Sequence, residues 1–479
     1  MYSASLNTIA NQFGIIHFIG IGGIGMSGIA EILHNLGCKV QGSDLNMNAQ
    51  VKHLQDLGIP IMIGHEASNI KNASVVIRSS AVKMDNPEII EAKNKKLPII
   101  QRAEMLAELM RFKISVAVAG THGKTTTTSL IAALFETAGL EPTVVNGGII
   151  NSKQTNAYLG AGDYLIAEAD ESDGTFTKLP ATIAVITNIN ADHLDFYGDY
   201  ANVKKAFRNF IENIPFYGFA VLCNDHPEVK KLAEEITDRK VLTYALDNEA
   251  DIVATNIKID ATGAHFDLQI SNNIPCELRE IKGCYLPVMG KHNIQNCLAA
   301  LTIGLQLGFD IELIQKAFAN FKGVKRRFTL TGEVNNIKIV DDYAHHPEEI
   351  KATLLAAKDV ANITKGKIIA VFQPHRYTRL NNLFNDFVTA FNTADKLFVT
   401  EIYTAGEKPI EDINHLKLIK EINNHNTKLQ AEFIPDINEL AKQILNIASP
   451  GDIVLHMGAG SITQWAQSLP AQLITLKNS

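Results

Sequence analysis

The stretch Ser115-Val-Ala-Val-Ala-Gly120-Thr-His-Gly-Lys124-Thr-Thr-Thr-Thr-Ser129 decides the fold. Its apolar, β-branched run from Ser115 to Ala119 predicts a buried strand, broken at Gly120 and Gly123, and the threonine-rich segment beyond predicts a helix to about Ala138. A strand, a glycine turn and a helix start with Lys-Thr at the junction form a phosphate cradle. Backbone N–H groups and the helix N-terminus face the anion, the ammonium reaches the outer phosphates, and the threonine hydroxyl can ligate Mg²⁺. The common form of this loop has a glycine five residues before its Gly-Lys pair, and this chain has Val118 there. A glycine turn leading into an ordinary helix is the alternative reading.

Working outward, 479 residues exceed a single core and imply roughly three domains. A hydrophobic fraction of 46% and a charged fraction of 20% are those of an ordinary globular chain. The net charge of −7 gives no basic surface for nucleic acid. Five scattered cysteines without a Cys-x-x-Cys pair argue for a reducing compartment and against a structural zinc or disulfide framework. No basic-then-apolar leader opens the chain, and no apolar run reaches about 18 residues, so a cytoplasmic protein without a membrane span is expected. The sequence specifies no oligomeric state.

Upstream, Ile15–Ile19 reads as a strand, Gly20-Ile-Gly22-Gly23-Ile-Gly25 as a glycine loop, and about Met26 to Leu36 as a helix. A second strand ends at Asp44. This is a G-x-G-x-x-G pattern with an acid about 20 positions on, the sign of a dinucleotide site. Its chemistry is broader, because any nucleoside diphosphate with a hydroxyl-bearing sugar satisfies the same geometry. A strand from Ser74 runs into Ser79, Ser80 and Ala81, and Arg102–Met110 reads as the helix closing a first domain, 1–111.

Downstream, the strand Tyr164–Asp170 exits into Glu171-Ser-Asp173, and Thr182–Ile189 leads to Asp192-His193. Both strands release polar residues, Glu168 and His193 among them, toward the sheet edge expected to carry Lys124. Asp251–Ile270 reads as a hairpin, and Gly290-Lys-His292-Asn293 opens a helix carrying Asn296. Asparagine can match an adenine edge or merely cap the helix. Gly323–Phe328 looks like a linker between a central domain, 112–328, and a third, 329–479. The third domain's predicted strands include one opening Ile337–Pro347 with polar residues at its end, Lys367–Phe372, Lys396–Tyr403 and Asp452–Met457. At their exits, His345, His346, His375, Arg376 and Arg379 suggest a small-anion site.

Six motifs now stand in order: Gly-Thr-His-Gly-Lys-Thr-Thr, Glu-Ala-Asp-Glu-Ser-Asp, Asn-x-x-Ala-Asp-His-x-Asp, Gly-Lys-His-Asn, Arg-Arg-Phe and Asp-Tyr-x-His-His-Pro. Together they resemble the Mur ligases of peptidoglycan synthesis across all three domains. The resemblance implies an α/β fold with an N-terminal Rossmann-like UDP-binding domain, a central P-loop ATPase-like domain and a C-terminal Rossmann-like α/β domain. Within the family, the Gly20–Met26 loop, Ser79-Ser80-Ala81, Arg102-Ala-Glu-Met-Leu and Phe372–Arg379 resemble ligases that add L-alanine to UDP-N-acetylmuramate. On this reading the glycine loop faces a uridine diphosphate rather than NAD.

The resemblance implies an acyl-phosphate mechanism, with ATP as co-substrate and Mg²⁺, two ions, as cofactor. Gly120, Thr121, His122, Gly123, Lys124, Thr125 and Thr126 would cradle ATP, with His292, Asn293 and Asn296 at adenine, Arg327 at the phosphates and Asp342 at the ribose. Thr125 and Glu168 would bind one ion and His193 a second. Lys124, Glu168, His193 and Arg327 form the implied catalytic set. Gly20, Gly22, Gly23, Gly25, Met26, Asp44, Ser79, Ser80 and Arg102 would hold the UDP-sugar. Tyr343, His345, His375, Arg376 and Arg379 would take the amino acid. Several relatives carry a carbamylated lysine beyond the metal histidine; here Lys204 and Lys205 lie nearer His193 than that position, and no carbamylation is predicted. Rival readings are a ligase recycling a whole tripeptide, a nicotinamide dehydrogenase and a non-catalytic nucleotide switch.

Overall fold

The structure is a computed structural model, and it describes residues 14–79, 81–260 and 262–478. Among these the strands form three sheets. The first has five parallel strands in the order Ile61–Ile63, Val40–Asp44, Ile15–Ile19, Ala73–Arg78 and Ile99–Gln101. The third has six, in the order Thr329–Val334, Ile337–Asp342, Ile453–Met457, Ile368–Phe372, Lys396–Val399 and Gln430–Phe433, and its first pair alone is antiparallel.

The ten-stranded middle sheet has Ile114–Ala119 between Ile183–Ile186 and Tyr164–Glu168. From Val116 to Ala119 this strand is fully buried, as the run of small and β-branched residues requires of a parallel strand covered on both faces. Three neighbouring strands thus end together, releasing Gly120, Glu168 and Thr187 at one carboxyl edge, where α/β sheets bind ligands. The predicted hairpin is present as Ile252–Asp260 and Gly263–Ile270.

Two compact units emerge from the packing. One runs to Thr255 and takes in Asp267–Cys284 and Gln295–Lys322; the other comprises Asn256–Phe266, Tyr285–Ile294 and Gly323–Ser479. The five-stranded sheet lies in the first and the six-stranded sheet in the second. One expected strand is shorter than its sequence suggests. Lys396–Val399 ends four residues before Tyr403, because the backbone there leaves the sheet to bridge His375.

Candidate active site

Val118 explains the shortened loop. It pairs with Val185 and Glu168 inside the sheet, so the position where other loops place glycine is still strand here, and the turn proper is Gly120–Gly123. Gly123 has φ +82°, and a Cβ there would stand 2.5 Å from Asn296 Oδ1, so any other residue is strained at this position and must displace Asn296. Neighbouring strand ends pin the turn. His122 N donates to Asn188 Oδ1 at 2.8 Å, Asn188 Nδ2 returns a bond to His122 O at 3.0 Å, and Asn190 N donates to Thr121 Oγ1 at 2.8 Å. The helix Lys124–Thr137 starts at Gly123 without a side-chain cap, so its terminal N–H groups keep their anion-binding character.

Lys124 folds over this turn. Its Nζ donates to Gly120 O at 2.6 Å and Thr121 O at 3.1 Å, and lies 2.8 Å from Glu171 Oε2. Burial opposes its charge, yet Glu171, Glu168 and Asp170 outweigh burial and raise its pKa. Burial pushes the Glu171 carboxyl up to about 7, against the pull of Lys124. Thr125 Oγ1 donates to Glu168 Oε2 at 2.8 Å, and Gly147 N reaches the same oxygen at 2.8 Å. His193 Nε2 stands 3.9 Å from Glu171 Oε1 and 3.7 Å from Asp192 Oδ2, on a backbone with φ +55°. Among the described residues no three His, Cys, Asp or Glu side chains form a ready-made metal cage. A hydroxyl and a carboxylate are nonetheless the hard oxygen donors Mg²⁺ takes, since that ion usually keeps several waters and shares substrate phosphates.

The first sheet's glycine loop sits beside this region in the same unit. Asp44 Oδ2 accepts from Gly22 N at 2.8 Å, so the acid at the second strand's end braces the loop from within. Gly25 is packed against Arg102, whose guanidinium would be 2.9 Å from an added Cβ. Arg102 Nη2 donates to Asp170 Oδ2 at 3.1 Å, joining the closing helix to the acidic turn after Glu168. Gly20 takes φ +77° and Gly23 precedes the helix Ile24–Asn35. Ser79 N bonds Ile19 O at 3.2 Å. Met26, expected at the UDP-sugar, is 1% exposed in the first turn of the helix Ile24–Asn35. Ser80 lies outside the described residues.

A second constellation stands in the other unit. Arg326 and Arg327 lie over the Tyr343 ring at 4.7 and 5.2 Å. Tyr343 meets His345 edge-on at 5.1 Å, His345 meets His375 at 5.8 Å, and His375 stacks on Tyr403 at 5.5 Å. Arg379 Nη1 lies 3.2 Å from His375 Nδ1, and Arg376 N donates to Tyr403 O at 2.9 Å. Burial, then nearby cations, pushes His375 down to about 3, and burial holds His345 at about 4. Both rings are therefore neutral at pH 7. His292 is likewise pushed to about 4 by burial and then Arg327. Asn293 Nδ2 donates to Met289 O at 2.6 Å.

One expectation changes here. His346 leaves the anion cluster, because its ring caps the helix Pro347–Thr364 by accepting from Glu348 N at 3.3 Å. Asp342 is fixed by the fold, its Oδ2 accepting from Phe328 N at 2.7 Å and its Oδ1 from Ala344 N at 2.8 Å, and a carboxylate so held keeps lone pairs for a further donor. Sequence reasoning left Glu171, Asp170, Asn188 and Tyr403 without roles. Glu171 was within reach, since it stands in the same acidic motif as Glu168.

The chain is similar to known proteins along its length. Residues 15–114 match the Mur ligase family catalytic domain, 118–304 the Mur ligase middle domain and 326–460 the Mur ligase glutamate ligase domain. The chain is 56% identical to UDP-N-acetylmuramate–L-alanine ligase of Rickettsia felis over 96% of each chain. It is 54% identical to the ligase of the same name from Rhodospirillum rubrum over 96% of this chain and 95% of that one. The fold matches UDP-N-acetylmuramate-alanine ligase of Thermotoga maritima with TM-score 0.80 and 29% identity, covering 97% and 99% of the two chains. A murein peptide ligase of Psychrobacter arcticus shares the fold at TM-score 0.70 and 24% identity, covering 96% and 98%.

Proposed function

The chain belongs to the Mur ligase family, and from that premise we propose how its residues join L-alanine to the carboxylate of UDP-N-acetylmuramate with ATP, in peptidoglycan synthesis. The observation carrying the reaction is identity of 56% with an L-alanine ligase over 96% of both chains. No helix among the described residues is long and apolar enough to cross a membrane. The five cysteines are free, and we infer a cytoplasmic location, where ATP and nucleotide sugars reside.

A carboxylate is a poor electrophile, so amide formation needs it converted to an acyl phosphate, and that first step brings two anions together. Lys124 neutralises the terminal phosphate held by the Gly120–Gly123 turn and helix N-terminus. Thr121, His122, Thr125 and Thr126 complete the cradle, and Asn296 buttresses Gly123. Thr125 and Glu168 would hold one Mg²⁺ and His193 a second; bound there, these ions supply charge neutralisation and orient the phosphate against the muramyl carboxylate. Arg327 would meet the phosphates, His292 and Asn293 the adenine and Asp342 the ribose. Gly20, Gly22, Gly23 and Gly25, braced by Asp44, would admit the diphosphate of UDP to the backbone, with Ser79 and Arg102 beside it. Arg376 and Arg379 would take the alanine carboxylate near Tyr343, His345 and His375. The muramyl carboxylate takes the γ-phosphoryl group of ATP and ADP leaves; the neutral alanine amine then attacks the acyl phosphate, giving up a proton as the amide forms and phosphate leaves.

Phosphate release from Mg-ATP and UDP-N-acetylmuramate, with L-alanine, glycine, L-serine or the tripeptide added in turn, tests this reading. Release requires all three substrates and favours L-alanine. Strong turnover with the tripeptide alone would overturn it.

A further inference from the structure

Tyr403 sits outside every motif considered so far. We infer that Tyr403 is a positioning residue for amino-acid binding, its ring holding His375 in the plane from which His375 orients Arg379. The inference rests on the proposed role of Arg376 and Arg379 at the alanine carboxylate.

Backbone places the two rings together. An isolated parallel bridge joins His375 to Tyr403; Tyr403 N donates to Pro374 O at 2.8 Å, and Arg376 N donates to Tyr403 O at 2.9 Å. The strand Lys396–Val399 stops short for this purpose, carrying its downstream residues out to the turn after Phe372. The rings then stack at 9° with centroids 5.5 Å apart. Gly460 also packs closely against Tyr403: an added Cβ would stand 2.6 Å from Tyr403 Cγ and 2.4 Å from Gln373 Oε1, so a larger residue at 460 would crowd both side chains. Carbonyls of Gly458 and Gly460 in turn accept from Arg326 Nη2 at 2.6 and 3.4 Å.

The stack acts on Arg379 through a lone pair. A guanidinium only donates, so the 3.2 Å contact between Arg379 Nη1 and His375 Nδ1 requires a neutral imidazole with its proton on Nε2. Rotating the ring breaks that contact and frees the arginine among several rotamers. Tyr403 is 42% exposed, which is more than a ring retained for core packing alone would leave to solvent.

Steady-state kinetics on the full chain test the inference. A stacked aromatic pair is worth a factor of about 3–10. Tyr403→Ala therefore raises KM for L-alanine about 3–10-fold, while kcat and the KM values for ATP and UDP-N-acetylmuramate stay within about twofold. Tyr403→Phe keeps the ring and restores the wild-type KM. An unshifted KM in Tyr403→Ala overturns the inference, as does a parallel rise in all three KM values or failure of Tyr403→Phe to rescue. Wild-type release indifferent to L-alanine would instead overturn the functional reading, and this inference with it.

Discussion

Lys124 Nζ lies 2.8 Å from Glu171 Oε2, and the Glu171 side chain is 5% exposed, so the cation proposed to bind phosphate has a buried counter-ion within its own unit. On that proposal, removing the lysine takes away phosphate binding and also strands a carboxylate. Stranding a buried charge costs about 3–5 kcal/mol in general. The low end applies here, because burial already pushes Glu171 up to about 7 and uptake of a proton relieves the charge. Lys124→Ala should abolish L-alanine-dependent phosphate release and lower the urea midpoint. Lys124→Ala/Glu171→Ala should recover most of the midpoint and none of the release. Activity returning with stability would show that Lys124 acts only structurally.

Glu168 holds Thr125 Oγ1 and Gly147 N on one oxygen, each at 2.8 Å, which orients the carboxylate toward the helix start. Glu168→Gln keeps the shape and removes the charge that draws a hard cation. The Mg²⁺ concentration for half-maximal phosphate release should rise about tenfold or more, in keeping with removal of one ionic ligand. A Mg²⁺ titration unchanged from wild type would dismiss Glu168 as a ligand.

How much of this was legible in the sequence depends on whether local chemistry or chain crossing sets each contact. The buried strand Ile114–Ala119, the glycine turn and the helix after Lys124 follow from periodicity and glycine placement, and each is present. The clustering of Glu168 and His193 with Lys124 followed from strand exits sharing an edge. Local pattern could not report that Asp44 turns back on Gly22, that Arg102 reaches Asp170, or that Met26 faces inward. Those depend on how separate segments meet. Tyr403 was hidden for the same reason, since its partner His375 lies on another strand exit and only their bridge carries the chain out of the sheet after Val399.

Glu88 anchors a buried polar network in the first sheet. Its carboxylate accepts from Ser43 Oγ at 2.7 Å and Asn69 Nδ2 at 2.6 Å and lies 3.1 Å from His17 Nε2; His17 and Glu88 are both fully buried. Burial favours its protonation, but the bonds from His17, Asn69 and Ser43 prevail and lower its pKa below the usual 4.5. The stabilisation is therefore complete above about pH 4.5 and is lost as pH falls through the lower folded value. Glu88→Ala strands these donors and should destabilise the chain by about 3–5 kcal/mol. Chemical denaturation at pH 7 checks this, and a loss under about 1 kcal/mol would mean that water or repacking substitutes for the network.

His456 gives a pH dependence of its own. It lies in Ile453–Met457, between Ile337–Asp342 and Ile368–Phe372, in register with Asp341 and Val371, and is fully buried. Arg326 Nε approaches Asp341 to 3.9 Å. Burial pushes the His456 imidazole down to about 4, so the folded chain leaves it neutral where the unfolded chain, near 6.5, takes up a proton. The unfolded state thus binds more protons between about pH 6.5 and 4, and stability must fall as pH falls through that window. The slope from one such group approaches about 1.4 kcal/mol per pH unit, or roughly 2 kcal/mol by pH 5. His292 and His345, pushed to about 4, and His375, pushed to about 3, act in the same direction. His456→Leu removes one titrating group from a site that already excludes water, so its stability at pH 7 relative to pH 5 should differ by roughly 2 kcal/mol less than the wild type's. Urea midpoints measured from pH 8 to 5 on both proteins check the slope, and parallel curves would mean that His456 takes up its proton as readily in the folded chain as in the unfolded one.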